Sequence, residues 1–296
     1  MIGKVKALIP ALAMALHKGQ SGRVGVVGGS LEYTGAPYYA AISSLRCGGD
    51  LAFVFCGEEQ AALPIKAYSP ELIVYPTLTS NFEVVSPRLS SVVFGPGLGR
   101  NADTLKECAR AILIAREKQL PIVLDGDALW LLQTSPELVR GYTRAIITPN
   151  QAEFTRLLAA AKIVPGEPVA GGETDISLEP ALSVAKLAKW LGGATVLKKG
   201  QVDLISNGQE LASVSEFGSA RRCGGQGDVL AGALGVFNGW SKGQDTLTAA
   251  FGAALLIRKA NALAFHDHGR SMTTPDLIHH LGQAFRDLYE KDSCSL

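Results

Sequence analysis

Arg23-Val24-Gly25-Val26-Val27-Gly28-Gly29-Ser30 is a short apolar run ending in paired glycines; a small-residue stretch from Pro37 to Cys47 follows, and then Leu51-Ala52-Phe53-Val54-Phe55. Strand, glycine turn, helix and strand make a βαβ unit, which places the two strands parallel and side by side. Pro37 near the helix start fits, because its missing N–H has no partner to lose there. The glycines lack the G-x-G-x-x-G spacing of a dinucleotide turn. Gly28-Gly29 is therefore read as a tight bend forming one wall of a substrate cleft.

The alternation continues outward from this unit. Leu72 to Tyr75, Ser91 to Phe94, Pro121 to Leu124, Ala145 to Thr148 and Thr195 to Lys198 are further apolar strands. Helical periodicity separates them over Ala102–Lys118, Gln151–Ala161 and Glu179–Leu191. Near-continuous apolar strands between helices predict a parallel sheet covered on both faces. Asn207-Gly208 between apolar runs signals a hairpin, so the sheet is expected to end in an antiparallel portion. Three helices close the chain: Asp228–Trp240, Asp245–Phe265 and Pro275–Tyr289. The glycine- and proline-bearing segment Lys162–Leu178 reads as a surface loop. With no repeat and no linker, residues 1–296 read as one α/β domain.

Composition narrows the function. The net charge of +1 gives no field that would favour nucleic acid or an anionic membrane. Five scattered cysteines, Cys47, Cys56, Cys108, Cys223 and Cys294, show no metal-ligand spacing and read as reduced thiols of a cytoplasmic protein. The apolar run Ala7–Leu16 is broken by Pro10 and lacks a cleavage site, so it reads as an amphipathic first helix and not as a signal peptide. No run is expected to reach the length that spans a bilayer. His266 and His268 stand too close for i, i+4 metal binding and read as a helix C-terminus.

The chemistry concentrates in Gly218-Ser219-Ala220-Arg221-Arg222-Cys223-Gly224-Gly225-Gln226-Gly227-Asp228. Successive glycine amides can converge on one anion, and a helix beginning about Gly227 adds its positive end. Arg221 and Arg222 suit phosphate oxygens from the side. Asp228 would repel the same phosphate, and makes sense as a base taking a proton from a hydroxyl that attacks it. An Asp capping a helix fits those residues too. Cys223 is read as a small space-filler. Other candidates stand where strands end, which is where ligands of open α/β sheets bind: Gly97, Asp125, Asp127, Asn150 and Glu153. Asp125 and Asp127 also fit plain turns, Asn150 and Glu153 also fit a capping box, and Lys199 also fits an exposed lysine before a turn.

Taken in order, several motifs resemble the ribokinase-like superfamily, and within it the ATP/ADP-dependent NAD(P)H-hydrate dehydratases. They are His17-Lys18-Gly19, Gly28-Gly29-Ser30 with Tyr33-Thr34-Gly35-Ala36-Pro37, Gly95-Pro96-Gly97-Leu98-Gly99, Asp125-Gly126-Asp127-Ala128-Leu129, Thr148-Pro149-Asn150-Gln151-Ala152-Glu153-Phe154, Lys199-Gly200, and the glycine loop through Asp228. They span nearly the whole chain. The Arg221–Asp228 form is similar to the eukaryotic, ATP-using branch; bacterial members usually carry a Gly-Thr-Gly-Asp type loop.

The resemblance implies a three-layer α/β/α sandwich with a mostly parallel sheet, and a hydro-lyase that repairs nicotinamide nucleotides. Such an enzyme dehydrates the S-form of C6-hydrated NADH and NADPH and converts ATP to ADP and phosphate through a phosphorylated intermediate. It implies Asp228 as catalytic base. It implies ATP contacts at Lys199, Gly200, Gln201, Val202, Asp203, Gly218, Ser219, Ala220, Arg221, Arg222, Cys223, Gly224, Gly225, Gln226 and Gly227. Contacts to the hydrate fall on Gly97, Asn150, Gln151, Ala152, Glu153, Phe154, Thr155, Arg156 and Asp228. Mg²⁺ is expected on the phosphates, with no all-protein metal site. A homo-oligomer and a companion NAD(P)H-hydrate epimerase are expected partners. The alternative is a vitamin-precursor or sugar kinase of the same superfamily, which shares the chemistry up to phosphoryl transfer.

Overall fold

The computed structural model describes residues 1–14, 17–165 and 179–291. Nine strands form one sheet: β1 (Arg23–Val27), β2 (Leu51–Phe55), β3 (Leu72–Tyr75), β4 (Ser91–Phe94), β5 (Ile122–Leu124), β6 (Ala145–Ile147), β7 (Thr195–Lys198), β8 (Asp203–Ser206) and β9 (Leu211–Val214). Their order is β3-β2-β1-β4-β5-β6-β7-β8-β9. β3 to β7 of this row are parallel, whereas β8 and β9 run antiparallel at one edge. The expected turn at Asn207-Gly208 lies between β8 and β9. Asn207 Oδ1 accepts from the Gln209 and Glu210 N–H groups there, and Gly208 takes φ +88°.

The helices are α1 (Ile2–Leu8), α2 (Gly35–Arg46), α3 (Ala62–Tyr68), α4 (Thr79–Val85), α5 (Ala102–Glu117), α6 (Ala128–Leu131), α7 (Gln151–Ala161), α8 (Glu179–Trp190), α9 (Gln226–Trp240), α10 (Thr246–His268) and α11 (Thr274–Phe285). Alternate strand residues face opposite layers. Val24, Val26, Ala52, Val54, Val93, Val123 and Ile146 join one core with α2, α9, α10 and α11. Phe53, Phe55, Val92, Phe94, Ile122, Leu124 and Ile147 join a second with α4, α5, α7 and α8. The period of two along each strand thus builds three layers. Each large side chain so buried, such as Phe55, Phe94 or Phe237, contributes about 1.5–3 kcal/mol. That outweighs exposed ion pairs such as Arg110–Glu83, worth about 0–1 kcal/mol each.

α9 is held by close backbone contacts. A methyl on Gly232 would collide with the Ala40 carbonyl of α2, and one on Gly235 would lie 2.9 Å from Val24 and Val93 of the sheet. Ser91 Oγ on β4 also donates to the Gly235 carbonyl at 2.6 Å. These contacts fix where the N-terminus of α9 sits.

Two expectations need correction. The first helix ends at Leu8, with Pro10 beyond it and residues 15 and 16 outside the described residues; proline lacks the N–H a longer helix would use. The stretch Thr246–Ser271 does have the length and mean hydropathy (1.2) of a membrane span. Its most apolar window is 72% buried inside the protein, which is how a core helix meets the same test. The loop expected at Lys162–Leu178 falls outside the described residues from 166 on, as does Cys294.

Successive connections from β1 lead first to β2 and β3 on one side, then back to β4 on the other. Strand order reverses between β1 and β4, and the C-terminal ends of the strands at such a point are where open α/β sheets bind ligands. The two loops that follow β1 and β4 are locked together. The Gly29 N–H is shared between the Pro96 and Gly97 carbonyls, both at 3.1 Å. A side chain on Gly28 would collide with the Pro96 carbonyl. Gly28-Gly29 therefore forms the tight bend read from the sequence.

Candidate active site

Asp228 lies in the first turn of α9, three residues after the cap Gly225, which takes φ +95°. That left-handed conformation is open to glycine and strained for other residues. No side chain caps this helix end, so its first amides are left facing outward. The glycine loop is clasped from behind by the α10–α11 junction. Thr274 Oγ1 donates to the Gly224 carbonyl at 2.6 Å, and the Arg221 Nε donates to the Met272 carbonyl at 3.4 Å. A capping box of Thr273 and Asp276 fixes the start of α11. Cys223 fills space against Thr274, its Sγ 3.6 Å from Oγ1.

A cavity of about 970 Å³ opens beside the loop. Lys199, Gly200, Gln201, Asp203, Gly218, Ser219, Ala220, Arg222, Cys223, Gln226 and Gly227 line it, as does Asn150. Its far wall is Leu230 of α9 with Ala254, Ile257, Arg258 and Asn261 of α10. Val202, Arg221, Gly224 and Gly225 complete the loops outside that lining. The glycine loop makes one end of the cavity polar, and the wall between α9 and α10 is mixed, with apolar Leu230, Ala254 and Ile257 beside Arg258 and Asn261.

The charges at the polar end are arranged in pairs. Lys199 Nζ lies 2.6 Å from Asp125 Oδ1, and the same oxygen accepts from Thr148 Oγ1 at 2.6 Å. Burial works against the charge of Lys199, but the carboxylates of Asp125, Glu153 and Asp228, Asp125 foremost, together outweigh it and hold the ammonium above its ordinary range. Asp125 Oδ2 and Lys199 Nζ both border Gly227, where an added methyl would lie 3.8 and 3.5 Å from them. Burial pushes the Asp228 carboxyl up to about 7, with the Asp125 carboxylate adding to the rise and Lys199 opposing it. A carboxyl so placed can take up and release a proton near neutrality.

Asp203 has a structural task. Its Oδ1 accepts from the Gly200 N–H at 2.9 Å, and its Oδ2 pairs with Arg258 Nε at 2.7 Å. Arg258 also donates to the carbonyls of Gly200 and Glu216, at 2.9 and 2.8 Å. One guanidinium thus ties α10 to the Lys199–Asp203 loop and to the segment that leads into the glycine loop. Asp127 performs the same service after β5: its Oδ2 accepts from the Gly99 N–H, and its Oδ1 pairs with Arg100, both at 3.0 Å.

The remaining sequence-derived positions divide. Gly97 lies in the loop after β4 at φ +58°, against Tyr33 and Ala36. Asn150 and Glu153 make a complete capping box on α7, with N–H to oxygen distances of 2.8 and 3.0 Å. Burial raises the Glu153 carboxyl despite the nearby Lys199. Gln151, Ala152 and Thr155 are exposed on the first turns of α7, and Phe154 points into the second core. Arg156 reaches toward Trp130, its guanidinium 5.9 Å from the ring, and its Nε is buried without a partner.

Sequence reading passed over Arg258, Asn261 and Tyr39. Tyr39 of α2 lies under the glycine loop, where a methyl on Gly225 would come within 2.7 Å of its ring. All three sit in helical runs whose pattern announces only a helix. Asp228 itself directly follows the cavity-lining Gln226 and Gly227 and is near enough to Tyr39 for its charge to raise that phenol, after burial and the neighbouring Tyr38.

The family described as NAD(P)H-hydrate dehydratase matches residues 24–283. The chain is 47% identical to the ATP-dependent (S)-NAD(P)H-hydrate dehydratase of Bos taurus, an alignment spanning 97% of this chain and 88% of that one. It is 46% identical to the enzyme of the same name from Homo sapiens, over 97% and 84%. Among solved structures it is similar to an ADP/ATP-dependent NAD(P)H-hydrate dehydratase of Bacillus subtilis co-crystallized with ATP/Mg²⁺. The TM-score is 0.73, with 20% identity and 97% of each chain covered.

Proposed function

We propose, from the premise that this chain belongs to the NAD(P)H-hydrate dehydratase family, a residue-by-residue account of the reaction. The protein is an ATP-dependent hydro-lyase that returns (S)-hydrated NADH and NADPH to NADH and NADPH. The single observation that carries the account is the position of Asp228. It is the one carboxylate of the glycine loop, it stands at a helix N-terminus beside a nucleotide-sized cavity, and burial brings it to the edge of protonation.

Hydroxide is a poor leaving group, whereas phosphate departs readily. Asp228 takes the proton from the C6 hydroxyl of the hydrate as that oxygen attacks the γ-phosphorus of ATP. The bond from phosphorus to the bridging oxygen breaks and ADP leaves. The amides of Gly224–Gly227 and the α9 N-terminus take up charge that develops on the phosphoryl oxygens. The C6–O bond of the phosphorylated hydrate then breaks, with the ring nitrogen's lone pair supplying electrons. Loss of a proton from C5 restores the ring double bond.

The residues fit a Mg²⁺ that arrives on the nucleotide. Asp125 and Asp203 already hold cationic side chains, and no group of three or more His, Cys, Asp or Glu among the described residues could form a cage. Asn150, on the cavity wall, and the half-buried Glu153 would hold the ion through water. When bound, it would neutralise phosphate charge. A cytoplasmic location, a homo-oligomer and functional pairing with an epimerase complete the proposal.

The test is turnover. Enzyme, (S)-hydrated NADH and ATP should restore the absorbance of the reduced nicotinamide with one ADP per NADH. Accumulation of a stable phosphorylated product without NADH would instead make the protein a kinase.

A further inference from the structure

Trp130 of α6 gathers two cations. The Arg100 guanidinium lies 4.7 Å from its ring, and that of Arg156 lies 5.9 Å from it. Arg100 follows β4, Trp130 follows β5 and Arg156 stands on α7 after β6, so three neighbouring strands deliver them at their C-terminal ends. Elsewhere in the protein, guanidiniums over rings are tied to carbonyls. Arg140, over Trp190, donates to the Trp190 carbonyl, and Arg116, over Tyr142, donates to those of Glu137, Leu138 and Arg140. Arg100 has one acceptor among the described residues, Asp127 Oδ1, which takes its Nε; its side chain is 56% exposed. Arg156 has none among them, and its Nε is buried. A half-buried guanidinium without an acceptor is costly, and a second cation on the same ring adds repulsion. An anion held by both would relieve each.

We propose that Arg100 and Arg156, seated on Trp130, bind a phosphate of the hydrated dinucleotide. The proposal rests on the reading of the protein as a dehydratase. None of the three residues lines the cavity beside the glycine loop, so the ATP phosphates do not satisfy them. They nevertheless adjoin the catalytic carboxyl. Burial is the main cause of the rise at Asp228, and the Asp127 carboxylate that Arg100 holds is close enough to add to it. A hydrate with its C6 hydroxyl at Asp228 carries a diphosphate beyond the nicotinamide ribose and, in the NADPH form, a 2′-phosphate as well. Either group matches guanidinium forks, whose planar donors meet two phosphate oxygens at once.

The experiment is calorimetric titration of the whole protein with NADH and with NADPH, which carry the same phosphates as their hydrates, in the absence of ATP. Arg100→Ala should weaken at least one of the two by about tenfold or more, the scale of a lost hydrogen bond to a charged group. Loss for both alike puts the diphosphate on the arginines, and loss for NADPH alone puts the 2′-phosphate there. Arg100→Lys should recover only part, because it keeps the charge without the fork. Arg140→Ala, which removes an arginine from the other tryptophan, should bind both dinucleotides as the wild type does. Should Arg100→Ala not fold, Arg100→Gln takes its place, because it can still donate to Asp127. A folded variant that keeps both affinities, or one that loses ATP affinity in step with them, overturns the proposal, as does a wild type that binds neither dinucleotide. Binding that depends on Arg100 in a protein without dehydration would sink the proposed reaction and leave this site standing. Dehydration by a wild type whose dinucleotide affinity ignores Arg100 would do the reverse.

Discussion

Lys199 Nζ and Asp125 Oδ1 are 2.6 Å apart, although 74 residues separate them in the chain. The pair joins the end of β7 to the end of β5 directly beneath the first turn of α9. Asp125 is 4% exposed, and its Oδ1 is held by the ammonium and by Thr148. Replacing Lys199 with Met should cost about 3–5 kcal/mol, because a buried carboxylate is left with a hydroxyl alone. It should also move the Asp228 proton affinity further up, since Lys199 opposes the rise. Urea unfolding measures the first effect and the acid limb of the rate profile the second.

Asp228→Asn should lower kcat by at least about a hundredfold, the scale of a lost general base. ATP affinity should hold or improve, since a negative charge beside the phosphates is gone. Nucleotide titration alongside steady-state kinetics separates the two. A variant with near-normal kcat would remove Asp228 from the mechanism.

The same carboxyl sets the pH dependence. It must be ionised to accept the proton, so kcat/KM should fall below a midpoint of about 7 as pH decreases. Stability should run the opposite way. The group binds its proton more tightly in the folded state than in the unfolded one, so its contribution is full below the unfolded value of 3.8 and is lost as pH rises through about 7. Above pH 8 the Asp228→Asn protein should therefore be the more stable by about 2–4 kcal/mol, whereas at pH 4 the two should melt together. Thermal melts across this range check the sign.

The central strands β1, β2 and β4 to β7 were legible because burial on both faces makes them nearly apolar throughout, and the glycine loop because its chemistry is local in sequence. The short helices α3, α4 and α6 were not. They are seven, seven and four residues long, and none has a side-chain cap to announce it. Asn150 and Glu153 could be read as either cap or ligand. The structure shows the cap fully formed, and this does not remove Asn150 from the cavity wall. Arg258 could not be found at all. Its partner Asp203 lies 55 residues away, and only the laying of α10 against β8 brings them together.

That hidden clasp should be visible in kinetics. Arg258→Ala removes three contacts at once and leaves Asp203, whose side chain is 11% exposed, without its cation. The Lys199–Asp203 loop would lose its fixed position at the nucleotide cavity. KM for ATP should rise by about tenfold or more, with a smaller change in kcat. Arg258→Lys should rescue little of this, because a single ammonium cannot reach three acceptors in a plane.

Gly232 provides the test of how Asp228 is aimed. α9 can approach α2 as it does only because position 232 has no side chain: a methyl there would strike the Ala40 carbonyl, which is backbone and cannot swing aside. Helix propensity alone would favour alanine over glycine by about 1 kcal/mol. Overpacking costs about 1–3 kcal/mol, and a collision with backbone belongs at the upper end, so Gly232→Ala should be a net loss. The helix can relieve the collision only by moving away from α2, and Asp228 stands one turn from the moving point. The variant should therefore lose kcat out of proportion to its fall in Tm, with the folded fraction held constant by assaying well below the melt. A Gly232→Ala protein that melts higher than the wild type and turns over normally would show that the close approach of the two helices does not position the catalytic carboxyl.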